Sequence, residues 1–185
     1  MALTESTMLP LGTKAPEFDL PDTVSGKNIQ LADVQSDVAT VVMFICNHCP
    51  YVIHVNEGLV QLAKDYQDMG VSFVAISSND VDRYPADAPD KMTEVAQKEG
   101  YTFPYLYDES QEVARAYDAA CTPDFYVFNR EMELVYRGQM DGARPGSDIP
   151  VTGEDLRNAL DAVLVNRPVA TFQRPSSGCG IKWKP

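Results

Sequence analysis

Val38-Ala39-Thr40-Val41-Val42-Met43-Phe44-Ile45-Cys46-Asn47-His48-Cys49-Pro50-Tyr51-Val52 is the stretch from which the rest of the chain is read. Its first eight residues are apolar on both faces and rich in β-branched side chains, the pattern of a central parallel strand covered on both sides. From Tyr51 to Gln67 the apolar residues Val52, Val55, Leu59, Leu62, Ala63 and Tyr66 recur at helical spacing, and Gly70 follows as a stop signal. The two cysteines of Cys46-Asn47-His48-Cys49-Pro50 therefore sit on a strand-to-helix turn.

Working outward, Phe18–Pro21 and Asn28–Leu31 flank a Gly26-containing turn, which predicts a hairpin. Val71–Ile76 reads as a second buried strand, Lys91–Glu99 as a helix ending at Gly100, Pro104–Tyr107 as a short strand and Ser110–Ala119 as a helix. Asp124–Phe128 and Glu133–Gly138 form an antiparallel pair, and Glu154–Val165 a last helix with Thr152 as its N-cap. The order argues for an α/β fold in which a mixed central sheet is flanked by helices and carries an N-terminal β-hairpin extension. Residues 1–11 are expected to be a flexible N-terminus, 12–167 the domain, and 168–185 an irregular C-terminal tail, on which Trp183 serves as an anchor.

With 185 residues, the chain is long enough to bury a core without disulfide staples, which leaves its four cysteines free for chemistry. A formal net charge of -12 disfavours nucleic acid and anionic membrane surfaces as partners. No apolar run approaches the ~20 residues of a membrane span, and Met1–Ser6 lacks the charged start and apolar core of a signal peptide. A cytoplasmic location is the resulting expectation. There a Cys-x-x-Cys pair points to redox or metal chemistry rather than to a structural bridge.

Redox work requires a thiolate, so a thiol pKa must fall below the free value of roughly 8.5; helix N-termini and nearby cations lower it. Cys46 is read as the low-pKa nucleophile facing the helix start and Cys49, one turn in, as the resolving thiol. His48 supplies a hydrogen bond or positive charge that makes the pair more oxidising, and Pro50 completes the tuning residues. A zinc site completed by Cys121 or Cys179 with His48 is the metal alternative. It is set aside because this pair caps a buried strand and opens a helix, so neither metal nor cofactor is expected.

Strand, Cys46-x-x-Cys49, helix, and then Thr122-Pro123 leading into a hairpin resembles the thioredoxin superfamily over roughly residues 12–165. The resemblance implies that Pro123 is cis and faces the cysteines. The backbone of Thr122 then lies beside the sulfurs, where it can pair with an extended substrate peptide. More closely, Gly12–Phe18, Cys46–Val52 and Cys121–Phe125 are similar to peroxiredoxin-like proteins of the AhpC/TSA type, in which Cys49-Pro50 matches the peroxidatic cysteine and its proline. The departures are Cys46 in place of a Thr or Ser, Val42 in place of a proline, and Thr122 in place of the peroxide-polarising arginine. The likeness thus implies the fold more than fast peroxide reduction. The buried carboxylate behind the resolving cysteine of thioredoxins is also replaced, by Thr40, leaving Glu57 and His54 as candidate bases.

Cys121, two residues before Pro123, and Cys179, between two glycines in the tail, are possible additional redox sulfurs. The sequence thus predicts a thiol–disulfide oxidoreductase cycling Cys46 and Cys49, with protein disulfides or a thioredoxin-type reductant as partners. The alternatives are a peroxide reductase using Cys49 and a metal- or cluster-binding redox sensor.

Overall fold

The computed structural model describes residues 3–185; Met1 and Ala2, part of the expected flexible N-terminus, lie outside the described residues. In chain order the strands are β1 (Leu3–Glu5), β2 (Asp19–Pro21), β3 (Asn28–Gln30), β4 (Ala39–Phe44), β5 (Val71–Ser77), β6 (Tyr105–Tyr107), β7 (Cys121–Thr122), β8 (Asp124–Asn129), β9 (Leu134–Gly138) and β10 (Ser177–Gly180). The α-helices are α1 (Leu31–Val34), α2 (Pro50–Gln67), α3 (Pro89–Glu99), α4 (Glu112–Ala116) and α5 (Glu154–Leu164).

The central sheet has the order β6-β5-β4-β8-β9, parallel among the first three strands and antiparallel from β4 to β8 to β9. Every residue of β4 is buried, as its continuous apolar run requires. Alternate residues feed two cores. Val41 and Met43 join Val52, Leu59 and Leu62 of α2 with Leu156 and Leu160 of α5. Val42 and Phe44 face Tyr117, Tyr126 and Phe128. The mixed α/β thioredoxin-like fold is therefore present, and β2 with β3 is the N-terminal hairpin. Its turn is fastened by the buried Asp22 carboxylate, which accepts the N–H groups of Val24, Ser25 and Tyr105.

Two expectations at the chain ends are corrected. Residues 3–5 form a strand, and the 168–185 segment contains another, β10, with β1 on one side and β7 on the other. Both are ordered by tertiary pairing that short, Gly-rich segments do not advertise. Trp183 does anchor the tail: it packs against the second core, with the Arg115 guanidinium 4.6 Å from its ring centroid. The cap of α5 is Gly153, at φ 73, one residue after the expected Thr152. Thr152 still contributes, its hydroxyl accepting the Glu154 N–H. Among the described residues no helix is long and apolar enough to cross a membrane.

Candidate functional site

β4 delivers Cys46 to the carboxyl end of the sheet, and α2 begins only at Pro50, so Cys49 is the N-cap of that helix. Proline at the first helical position needs no N–H partner and has its φ already set, which fixes the helix start at this register. Helix position thus departs from the expected geometry, because Cys49 rather than Cys46 meets the positive end of an 18-residue helix. Cys49 is held down to a pKa of about 4, chiefly by the hydrogen bond from Cys46, with Cys179 and Thr122 adding to it against the cost of burial. No hydrogen bond of full cap geometry forms, and the Val52 N–H contributes the smallest of these pulls. Cys46 moves the opposite way, well above its ordinary value, through its hydrogen bond to Cys49, its burial and the nearby Asp87 carboxylate. The two thiols are thus pushed in opposite directions, Cys49 down and Cys46 up.

The Thr122–Pro123 bond is cis, as the resemblance implied. Thr122 reaches both sulfurs: its hydroxyl is 3.6 Å from Cys46 Sγ and its carbonyl 3.4 Å from Cys49 Sγ. Cys179, brought in by β10, places its Sγ 2.9 Å from Cys49 Sγ. Burial, and then its bond to Cys49, push the Cys179 thiol up to about 12, so it stays protonated beside Cys49. Cys121 is not part of this group of contacts. Its Sγ lies 4.0 Å from the Ser176 carbonyl, and burial, followed by the Asp124 charge, pushes its thiol far up.

The turn between the cysteines is held by Asp87, a residue that sequence reasoning missed. This fully buried carboxylate accepts the Asn47 N–H at 2.8 Å and the His48 N–H at 3.3 Å through one oxygen. Its other oxygen takes the Asn79 amide at 2.9 Å and contacts His48 Nδ1. Asn47 is fixed as well, donating to the Ala86 carbonyl and accepting from the Tyr105 hydroxyl. His48 is therefore turned onto Asp87 and stacked on Tyr84, with 5.7 Å between ring centroids. Any charge it carries faces a carboxylate before it faces Cys46. The 80–89 loop, structureless to the eye in sequence, is the scaffold of the active turn.

Cys46, His48 and Asp87 present donor atoms within 4.8 Å of one another, the set a metal ion would use. The Asp87 oxygens, however, are already engaged by two backbone N–H groups and the Asn79 amide, so the carboxylate is committed to the turn. Of the candidate bases, Glu57 is exposed and His54 half-buried. Thr40 is buried where expected, and its hydroxyl accepts the Ser36 N–H. The core carboxylate nearest in sequence to Pro123 is Asp124, raised to about 7 by burial against hydrogen bonds from Ser6, Tyr126, Ser176 and the Phe125 N–H.

A mixed sheet, a buried cysteine pair at a helix start and a facing cis-proline define a redox protein of the thioredoxin superfamily. Residues 11–137 match the AhpC/TSA family model, and the chain belongs to that family. A Mycobacterium tuberculosis protein carrying a provisional assignment as a peroxiredoxin is 33% identical over 117 residues, spanning 63% of this chain and 69% of that one. The crystal structure of an uncharacterized conserved protein from Geobacillus kaustophilus is 61% identical, with a TM-score of 0.99, covering 100% of this chain and 98% of that one. A thiol:disulfide interchange protein, DsbE, assigned provisionally in Chlorobium tepidum, shares the fold at 20% identity and a TM-score of 0.65, covering 84% of this chain and 99% of that one. The protein is thus an oxidoreductase of the thioredoxin and peroxiredoxin type.

Proposed function

We propose that the protein is a thiol–disulfide oxidoreductase that cycles Cys46 and Cys49 between dithiol and disulfide on protein partners. The observation that carries this reading is the convergence of both sulfurs on Thr122, beside the cis-proline. The Cys49 thiolate attacks one sulfur of a partner disulfide, and the partner's second sulfur leaves as a thiolate. Cys46 then attacks Cys49 in the mixed disulfide, its proton passing to the departing thiols. The partner gains two electrons, one proton from Cys46 and a second from solvent, and the Cys46–Cys49 disulfide remains, to be reduced by a thioredoxin-type dithiol.

Reduction of a protein disulfide such as that of insulin tests the assignment. Cys49→Ser abolishes the reaction, whereas Cys46→Ser stalls as a mixed disulfide on Cys49. The opposite pattern returns the attack to Cys46.

A second reading, peroxide reduction by Cys49, is favoured by the seat of the thiolate at the helix start. Against it, Thr122 occupies the position of the polarising arginine, and the groups that lower the Cys49 pKa are thiols, Thr122 and one backbone N–H, with no cation among them. A sulfenic-acid trap separates the readings. Slow trapping at Cys49 accords with the first, and rapid trapping at low peroxide with the second.

A further inference from the structure

Cys49 is completely buried and Cys46 nearly so, yet the proposed reaction requires a partner's sulfur to touch them. What closes the site is the chain's own C-terminal segment. β10 runs antiparallel to β7 with Cys179 opposite Thr122 and Gly180 opposite Cys121. That is the backbone edge, next to the cis-proline, at which an added strand would pair. Cys179 Sγ, at 2.9 Å from Cys49 Sγ, stands where an attacked sulfur must stand.

We propose that β10 is an internal mimic of the substrate strand, and that a partner enters by displacing it and laying a Gly-Cys segment of its own antiparallel to Cys121–Thr122. The inference rests on the oxidoreductase reading and specifies its partner: an extended segment with glycine immediately before the reactive cysteine. The glycine requirement comes from Gly178, where a Cβ would lie 1.9 Å from the Thr122 carbonyl oxygen and 3.4 Å from Pro123 Cδ. Both are fixed by the cis turn, so no larger residue fits at that strand position.

The segment is built to be held and yet to leave. Two residue pairs join β10 to β7, whereas three join it to β1, so the β7 edge is the shorter of its two pairings. Beyond β10 the tether combines Ile181 and Trp183, packed on the second core, with a set of polar bonds. Gln111 Nε2 donates to the Lys182 carbonyl at 2.9 Å, and Gln111 Oε1 accepts the Lys184 N–H at 2.9 Å. The Lys182 N–H reaches Asn79, and the Asp80 N–H returns to the Lys182 carbonyl.

The test uses the reduced full-length chain and a peptide of the tail's own sequence, Ser-Gly-Cys-Gly-Ile, whose cysteine carries thionitrobenzoate. Attack by the Cys49 thiolate on the peptide sulfur forms the mixed disulfide and expels coloured thionitrobenzoate, and the rate is taken after subtracting that of Cys49→Ser. Gln111→Asn, which shortens the tether and keeps a side chain suited to the left-handed backbone there (φ 65), should speed release at least about tenfold. Gly178→Ala, which drives β10 off Thr122, should do the same by an independent route. In either variant a peptide with Ala before its cysteine should react at least about tenfold more slowly than the Gly peptide. Equal rates for the two peptides, or no acceleration in either variant, overturn the proposal. If Cys49-dependent insulin reduction persists in that case, only the mimicry fails; its absence from the wild-type chain removes the oxidoreductase reading itself.

Discussion

Cys49 Sγ and Cys179 Sγ lie 2.9 Å apart although 130 residues separate them in the chain, and this contact closes the active site with the protein's own C-terminal strand. The Cys179 sulfur and the Thr122 carbonyl both touch a sulfur that caps a helix. Most of the behaviour expected of the protein follows from that concentration of contacts on Cys49.

Cys49 should be a thiolate over most of the accessible pH range. Its ultraviolet thiolate absorbance, taken as the difference from Cys49→Ser, should be nearly independent of pH from neutrality downward and decline only as pH approaches about 4. Because its folded pKa lies below its unfolded value of roughly 8.5, this thiolate stabilises the fold fully above that value, and the contribution is lost as pH falls toward the folded pKa. Cys46→Ala removes the largest of the pulls and should move the inflection upward. Thiolate absorbance that rises through the range of an ordinary cysteine would contradict the seat of the charge.

A stabilised thiolate also stabilises the reduced form. The Cys46–Cys49 disulfide should therefore be more oxidising than that of thioredoxin, with a potential less negative than about −270 mV in glutathione titrations. His48→Ala uncovers the Asp87 carboxylate, which acts on a Cys46 thiol already held protonated rather than on Cys49, so the potential should move by less than roughly 30 mV. A larger negative shift would mean that the charge rests on Cys46 and that His48 sustains it.

Asp124 supplies a stability signature of its own. Burial raises its pKa to about 7, so the folded chain binds a proton that the unfolded chain releases between pH ~4 and this value. Stability to urea should accordingly fall as pH rises through that window and level off above it, as far as this group is concerned. Asp124→Asn keeps a side chain able to accept from the Ser6 hydroxyl and should flatten the dependence. An identical pH slope in the variant would assign the effect to other groups.

Where the fold was legible in sequence, the signal was burial. The unbroken apolar run of β4 and the helical spacing in α2 could satisfy their backbone and side chains in only one arrangement. The strand Ser177-Gly178-Cys179-Gly180 was not legible, since half of it is glycine and its order comes from β1 and β7. Asp87 was equally hidden: its partners Asn47 and His48 lie 40 and 39 residues away, and its loop has no periodicity. The seat of the thiolate had a readable sign. Pro50 at the first helical position makes Cys49 the cap, whereas placing Cys49 inside the first turn moved the charge to Cys46.

The central claim is that Cys46 and Cys49 exchange two electrons as a pair. Equilibration of the full-length chain over a series of glutathione ratios, followed by acid quenching and peptide mass mapping, measures this directly. The account predicts a Cys46–Cys49 disulfide that forms and disappears as one cooperative two-electron couple, with Cys121 free throughout. Cys46 remaining a free thiol at every ratio would contradict it.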